Sequence, residues 1–194
     1  MCDRNICWNC NKSVSSSDAI CNNCGKIQPP NSKDDFKLMG MDRNFNLDLD
    51  KLETSYLNLQ QLFHPDKFSN LSEREKKYST IFSSMINEAY QNLKNPVSRA
   101  SLLLELEGVD RSLEENSFND PEILEEIMEI QNKFLDSDDL ESKKIVLKDI
   151  NNSLLETTRD ISKSFEEKKY DIAQKLNIKL SYLEKIKKDF KKQL

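Results

Sequence analysis

The sequence predicts an all-α fold: a helical hairpin followed by a three-helix bundle, with a small four-cysteine module in front. Three observations carry this. Only three of 194 residues are Gly while 32% are charged, which suits helices, whose exposed faces absorb charge and whose interiors avoid Gly. Apolar residues recur at three- and four-residue steps from about Leu52 to the end, the period of a helix face. Two Cys-x-x-Cys pairs precede a joint at Pro29-Pro30-Asn31-Ser32, which separates a Cys- and Ser-rich start from the helical remainder.

Each element has a local reason. After a short apolar piece, Phe36 to Met41, Asp48 is placed to cap a helix whose Leu52, Tyr56, Leu59 and Phe63 line one face,. That helix stops near His64 because Pro65 disfavours helical backbone at the residue before it. Ser72-x-x-Glu75 is a capping box. It opens a second long helix with Tyr78, Ile81, Phe82, Met85, Ile86, Ala89, Tyr90 and Leu93 on one stripe, ending at Asn95-Pro96. Two apolar stripes joined by a short loop pack most readily as an antiparallel hairpin, which places His64, Pro65 and Asp66 at its tip. A helix containing Leu102, Leu103, Leu104 and Leu106 follows and ends at Gly108,.

Three further patterns make the bundle. Asp120-Pro121-Glu122 starts a helix to about Leu135, with Asp120 as N-cap and Pro121 at the first position,. A second runs from Ser137 to about Lys168 with Leu147, Ile150, Leu154, Ile161 and Phe165 in register. A third runs from about Tyr170 to Leu194 with Ile172, Leu176, Leu180, Leu183, Ile186 and Phe190,.

Charge and composition exclude several function classes. A net charge of −5 and a pI near 5.1 argue against a nucleic-acid partner, since binding a phosphate backbone needs a basic surface. Mean hydropathy is −0.73 and no apolar run approaches the ~20 residues of a membrane helix, so no membrane partner is expected. The start, Met1-Cys2-Asp3, reads as neither a signal nor a transit peptide. His64 is the single histidine, so a His-based catalytic metal or a Ser-His-Asp triad would rest on it alone, and no His-Glu-x-x-His spacing occurs. An enzyme is not expected.

Cys7-x-x-Cys10 and Cys21-x-x-Cys24 have the spacing that lets four thiolates converge on one tetrahedral ion, and Gly25 permits the tight turn after the second pair,. Zn²⁺ suits four soft thiolates best. A rubredoxin-like iron has the same ligands, and two disulfides or a redox pair are the alternatives. Four protein ligands leave no open position for water or substrate, so the site is expected to be structural. Cys2, the odd cysteine, is assigned no role.

With these residues in view, the chain resembles the J-domain family, and within it the HscB branch. The resemblance is carried by Phe36-x-Leu38-Met39, His64-Pro65-Asp66-Lys67-Phe68, Ile86-Asn87-Glu88-Ala89-Tyr90-Gln91-x-Leu93 and Pro96-x-Ser98-Arg99-Ala100. Ile127-Met128-Glu129-Ile130 extends it into the bundle. Animal-type members share a leading knuckle like Cys7-Trp8-Asn9-Cys10 and a joint like Gln28-Pro29-Pro30. The likeness spans essentially the whole chain.

The resemblance implies a metal module and linker over 1–34, a J domain with its connecting helix over 35–107, and a scaffold-binding bundle over 108–194. It implies a co-chaperone of iron–sulfur cluster biogenesis that binds the cluster scaffold protein and stimulates the ATPase of a DnaK-type heat-shock chaperone. His64, Pro65, Asp66 and Lys67 would face the chaperone. Leu124, Met128, Glu129 and Tyr182 would face the scaffold. The expected cofactor is structural Zn²⁺ on Cys7, Cys10, Cys21 and Cys24. Homodimer formation is left open, and the family points to the mitochondrion, with the cytoplasm the alternative because no presequence is readable. The helix before the loop offers only Lys51, beside Glu53, so Lys67, Arg74, Lys76 and Lys77 are the candidate positive surface. The competing reading is a zinc-finger adaptor in RNA or protein assembly, in which Arg4, Lys12 and Lys26 with Trp8 would supply the basic and aromatic contacts.

Overall fold

The computed structural model describes residues 4–15, 18–31, 34–109 and 121–193; Cys2 and the expected N-cap Asp120 lie outside them. The described residues form seven α-helices, a 3-10 turn and one two-stranded ribbon, so the all-α expectation holds. They divide into two compact units, one comprising 1–43 with 47–94 and the other 44–46 with 95–194.

The first unit begins with β1 (Arg4–Ile6) paired antiparallel to β2 (Ser13–Ser15), Arg4 opposite Ser15. After α1 (Asp35–Leu38) come α2 (Leu49–Phe63), a 3-10 turn (Pro65–Phe68) and α3 (Glu73–Lys94). The helix ends follow the expected chemistry. The Asp48 carboxylate accepts from the N–H groups of Asp50 and Lys51, both at 3.1 Å. The capping box closes reciprocally: Ser72 N and Oγ donate to Glu75 Oε2 at 3.2 and 2.7 Å, and Glu75 N donates to Ser72 Oγ at 3.4 Å,.

The hairpin is held by two stacked aromatic pairs, Phe63 on Phe82 at 4.6 Å and Tyr56 on Tyr90 at 4.2 Å between centroids. Fully burying a Phe side chain contributes about 1.5–3 kcal/mol. Polar bonds fix the register. Asn87 Oδ1 accepts from Tyr56 Oη at 3.0 Å and Gln60 Nε2 at 2.7 Å, and the Tyr90 hydroxyl donates to Glu53. Glu53, read from sequence only as a diluting charge beside Lys51, thus clamps α2 to α3.

In the second unit, α4 (Pro96–Leu106) is followed by α5 (Pro121–Leu135), α6 (Leu140–Glu166) and α7 (Tyr170–Lys191). Ile127 and Phe134 of α5, Leu147 and Ile150 of α6, and Leu183, Ile186 and Phe190 of α7 form one core. Phe134 stacks on Phe190 at 3.7 Å. Phe45 stacks on Phe165 at 5.8 Å and lies under the Arg99 guanidinium at 4.9 Å.

Two expectations are corrected here. Helix α6 starts at Leu140 rather than Ser137, because the Asp139 side chain caps it by accepting from Ser142 N at 2.8 Å,. Ile172, placed on the buried stripe of the last helix, is 41% exposed. The first turns of α7 instead bury Ala173, Gln174 and Asn177, because α4 packs there and Asn177 Nδ2 donates to Ser101 Oγ at 3.0 Å. That packing places α4 with the bundle, whereas a division by motif places residues up to 107 with the hairpin.

Candidate functional site

The two Cys-x-x-Cys segments fold into matching turns. In the first, Cys7 N donates to Lys12 O at 2.9 Å and Asn11 N to Cys7 O at 3.0 Å; in the second, Cys21 N donates to Lys26 O at 2.9 Å and Gly25 N to Cys21 O at 2.8 Å. Both need left-handed backbone after the second cysteine, supplied by Asn11 at φ 57° and Gly25 at φ 69°. Glycine adopts this at no steric cost, and Asn tolerates it best among other residues. Gly25 is legible as such a position; Asn11 carries the same signal more faintly.

The turns bring the sulfurs of Cys7, Cys10, Cys21 and Cys24 within 4.8 Å of one another. Cys7 and Cys24 are 3.6 Å apart and Cys10 and Cys21 3.8 Å. Zinc–sulfur bonds of about 2.3 Å in a tetrahedron require sulfurs roughly 3.8 Å apart, so this quartet fits one ion. None of the four is in a disulfide.

Electrostatics agrees with the geometry. Burial pushes the Cys7 thiol up, but the N–H groups of Cys10 and Asn9 and the neighbouring thiols outweigh it and bring it down to about 6. The Lys12 N–H leads in lowering Cys10. At Cys24 the Lys26 N–H favours the thiolate, yet burial and its bonds to Cys10 and Cys7 oppose it and push it up to about 11. Thiols this close oppose one another's ionisation, and a bound dication would favour the thiolate form of its ligands.

One of the four cysteines has a partner that the spacing does not reveal. Gln28, read as part of a joint, is buried and donates from Nε2 to Cys7 Sγ at 3.3 Å, an outer contact of the kind that orients metal ligands. Three of the four basic and aromatic residues named for RNA contact, Trp8, Lys12 and Lys26, have partners within the chain. Trp8 donates to Ile27 O at 2.7 Å and lies under Arg74 at 4.9 Å. Lys12 donates to Asn23 at 2.8 Å, and Lys26 pairs with Glu75 at 2.9 Å.

The hairpin tip is built for display. His64 ends α2, and its Nδ1 accepts from Asp66 N at 3.3 Å, capping the 3-10 turn. Pro65 sits at the start of that turn, where its fixed φ fits. The Asp66 side chain is 90% exposed, and Lys67 is exposed beside it. Of the candidate positive surface, Arg74 is turned to Trp8 and Lys76 pairs with Glu73 at 2.8 Å. Lys77 stands exposed.

Glu75 lies under this surface with its side chain 4% exposed. Burial would raise its carboxyl, but the Ser72 hydroxyl, the Lys26 ammonium and the Ser72 N–H hold it below its ordinary 4.5. A carboxyl depressed by folding stabilises above the unfolded pKa, and that contribution is lost as pH falls through the folded value. Glu75→Gln is therefore expected to flatten the loss of stability that wild type shows as pH falls below about 4.5, measured as urea midpoint against pH.

In the bundle, Leu124 and Met128 stand one turn apart on α5, Leu124 half-buried and Met128 60% exposed. Glu129 is exposed. Tyr182 of α7 is partly buried against the α5–α7 core.

Comparison with known proteins places this architecture. Residues 119–191 match the family described as the HSCB C-terminal oligomerisation domain. The chain is 32% identical over 189 residues to the mouse iron-sulfur cluster co-chaperone protein HscB, covering 95% of this chain and 81% of that protein. It is 31% identical to the Arabidopsis thaliana HscB homolog, covering 97% of this chain and 74% of that one. The crystal structure of human co-chaperone protein HscB superposes with a TM-score of 0.89 at 32% identity, over 97% of this chain and 98% of that one. The likeness covers 95–97% of this chain, from the four-cysteine module through the hairpin to the bundle, and the chain belongs to the HscB family of iron–sulfur cluster co-chaperones.

Proposed function

We propose that this protein binds an iron–sulfur cluster scaffold protein, delivers it to a DnaK-type heat-shock chaperone and stimulates that chaperone's ATPase. The observation that carries this is the exposed His64-Pro65-Asp66 loop at the tip of a hairpin on which Phe63 stacks on Phe82, in a chain similar throughout to proteins named iron–sulfur cluster co-chaperones. Hydrolysis belongs to the chaperone. Asp66 meets a basic group on it through a charge-assisted hydrogen bond, Pro65 sets the loop's shape, and Lys67 adds positive charge beside them. Leu124, Met128, Glu129 and Tyr182 meet the scaffold. Cys7, Cys10, Cys21 and Cys24 hold a structural Zn²⁺, the ion best suited to four thiolates at these separations,. Family resemblance makes the mitochondrion its compartment.

The test is steady-state ATP hydrolysis by a DnaK-type chaperone with and without the scaffold protein, titrated with this chain. Stimulation that grows when scaffold is present supports the two-contact reading; a chaperone indifferent to the chain rejects it. Met128→Asp is expected to weaken scaffold binding at least about tenfold by calorimetry, because it puts a charge into an apolar contact. The melting temperature should stay unchanged, since Met128 is exposed in the free protein.

A further inference from the structure

The Cys module grips α3, the helix that begins where the chaperone-facing loop ends. The Lys26 ammonium, two residues past Cys24, pairs with Glu75 Oε1 at 2.9 Å. The other oxygen of that carboxylate closes the α3 capping box on Ser72. A single buried carboxylate is therefore shared between the second knuckle and the first turn of α3. Trp8, from the first knuckle, lies under Arg74 at 4.9 Å and meets Tyr78 edge-on at 6.5 Å. Its indole N–H on Ile27 O ties the two knuckles together.

The same stretch of α3 holds the loop. Ser79 Oγ donates to the Phe63 carbonyl at 2.9 Å, one residue before His64, and Ser72 closes the far end through Glu75. The loop from His64 to Ser72 is thus pinned at both ends by the turns that Lys26 and Trp8 contact. The core of the Cys module is Cys7, Val14 and Cys21 with Cys10 and Cys24 packed beside them. Four of these five side chains are the prospective ligands, so without an ion the module's apolar core is too small to hold it firmly,.

We propose that Lys26 and Trp8 are positioning residues for the His64-Pro65-Asp66 loop: with a metal ion on the four cysteines they brace the first turns of α3, and loss of the ion releases that brace. The inference rests on the metal and chaperone readings above. Releasing Lys26 leaves one oxygen of a buried carboxylate without its partner, and the capping box it belongs to is then strained or opened to water.

The test is hydrogen exchange, read by mass spectrometry, on the full reduced chain loaded with Zn²⁺ and after chelation. Peptides covering residues 64–80 are compared with a control from the far end of α3. Chelation is expected to speed exchange at residues 73–79 about tenfold or more, and Lys26→Met to do so partly even with zinc bound, with Lys26→Arg restoring protection. In the ATPase assay, Lys26→Met should raise the concentration for half-maximal stimulation about fivefold with the maximum unchanged, and Lys26→Arg should rescue it. Unchanged protection at 73–79 while residues 7–24 lose theirs on chelation would overturn the proposal. A chain that elemental analysis shows to hold no zinc after reconstitution overturns the metal reading and the proposal with it. The exchange arm needs no chaperone, so failure of the coupling is distinguished from failure of the chaperone reading.

Discussion

Replacing Asp66 with Asn or His64 with Gln is expected to abolish stimulation of the partner chaperone's ATPase while leaving the fold intact. Truncating one partner of a charge-assisted contact that is buried on binding costs about 2–5 kcal/mol, roughly 30- to 5,000-fold in affinity. In the free protein the same atoms contribute little: the Asp66 carboxylate is 90% exposed, and exposed substitutions usually shift stability by less than about 0.5 kcal/mol. Gln at position 64 keeps an acceptor for the Asp66 N–H that His64 now caps. Urea unfolding and ATPase rate measured on the same preparations check both halves. Stimulation equal to wild type would mean that the loop serves only as a turn.

The largest stability effect is expected at Phe134. Its ring is buried and stacked at 3.7 Å on Phe190, and it joins α5 to α7 in the core that includes Ile127 and Leu183. Phe134→Ala removes that ring and leaves a cavity, costing about 3–5 kcal/mol. Helix α5 also carries Leu124 and Met128, so scaffold binding should fall with it, although neither residue has been touched. Calorimetric unfolding of this variant beside Met128→Asp separates the two routes. The first should lose binding with a lowered melting temperature, the second with an unchanged one.

The parts that could be read directly are those whose chemistry is local. Asp48 and the Ser72–Glu75 box announce helix starts because a cap and its N–H partners lie within three residues,. Pro65 ends α2 through a clash with its own predecessor. The cysteine quartet is legible because a Cys-x-x-Cys turn is a short-range shape, and two of them suffice to bring four sulfurs within 4.8 Å. Failures of local reading have equally local causes. The helix start expected at Ser137 lies at Leu140, because the Asp139 side chain accepts from Ser142 N.

The amino-acid sequence by itself determined the hairpin, the bundle, the cysteine quartet and the identity of the exposed loop, since each follows from periods and spacings that a chain imposes on its own neighbours. Tertiary structure alone decided how polar side chains are spent. Asn177 is buried on Ser101, 76 positions away, and Ile172 is left outside. Gln28 turns its amide to Cys7 across 21 positions. Lys26 and Arg74, which composition would count as surface charge, meet Glu75 and Trp8. A periodic pattern reports which face of a helix is apolar; it does not report which distant atom will satisfy a buried donor or carboxylate, because that partner is chosen only when the elements pack.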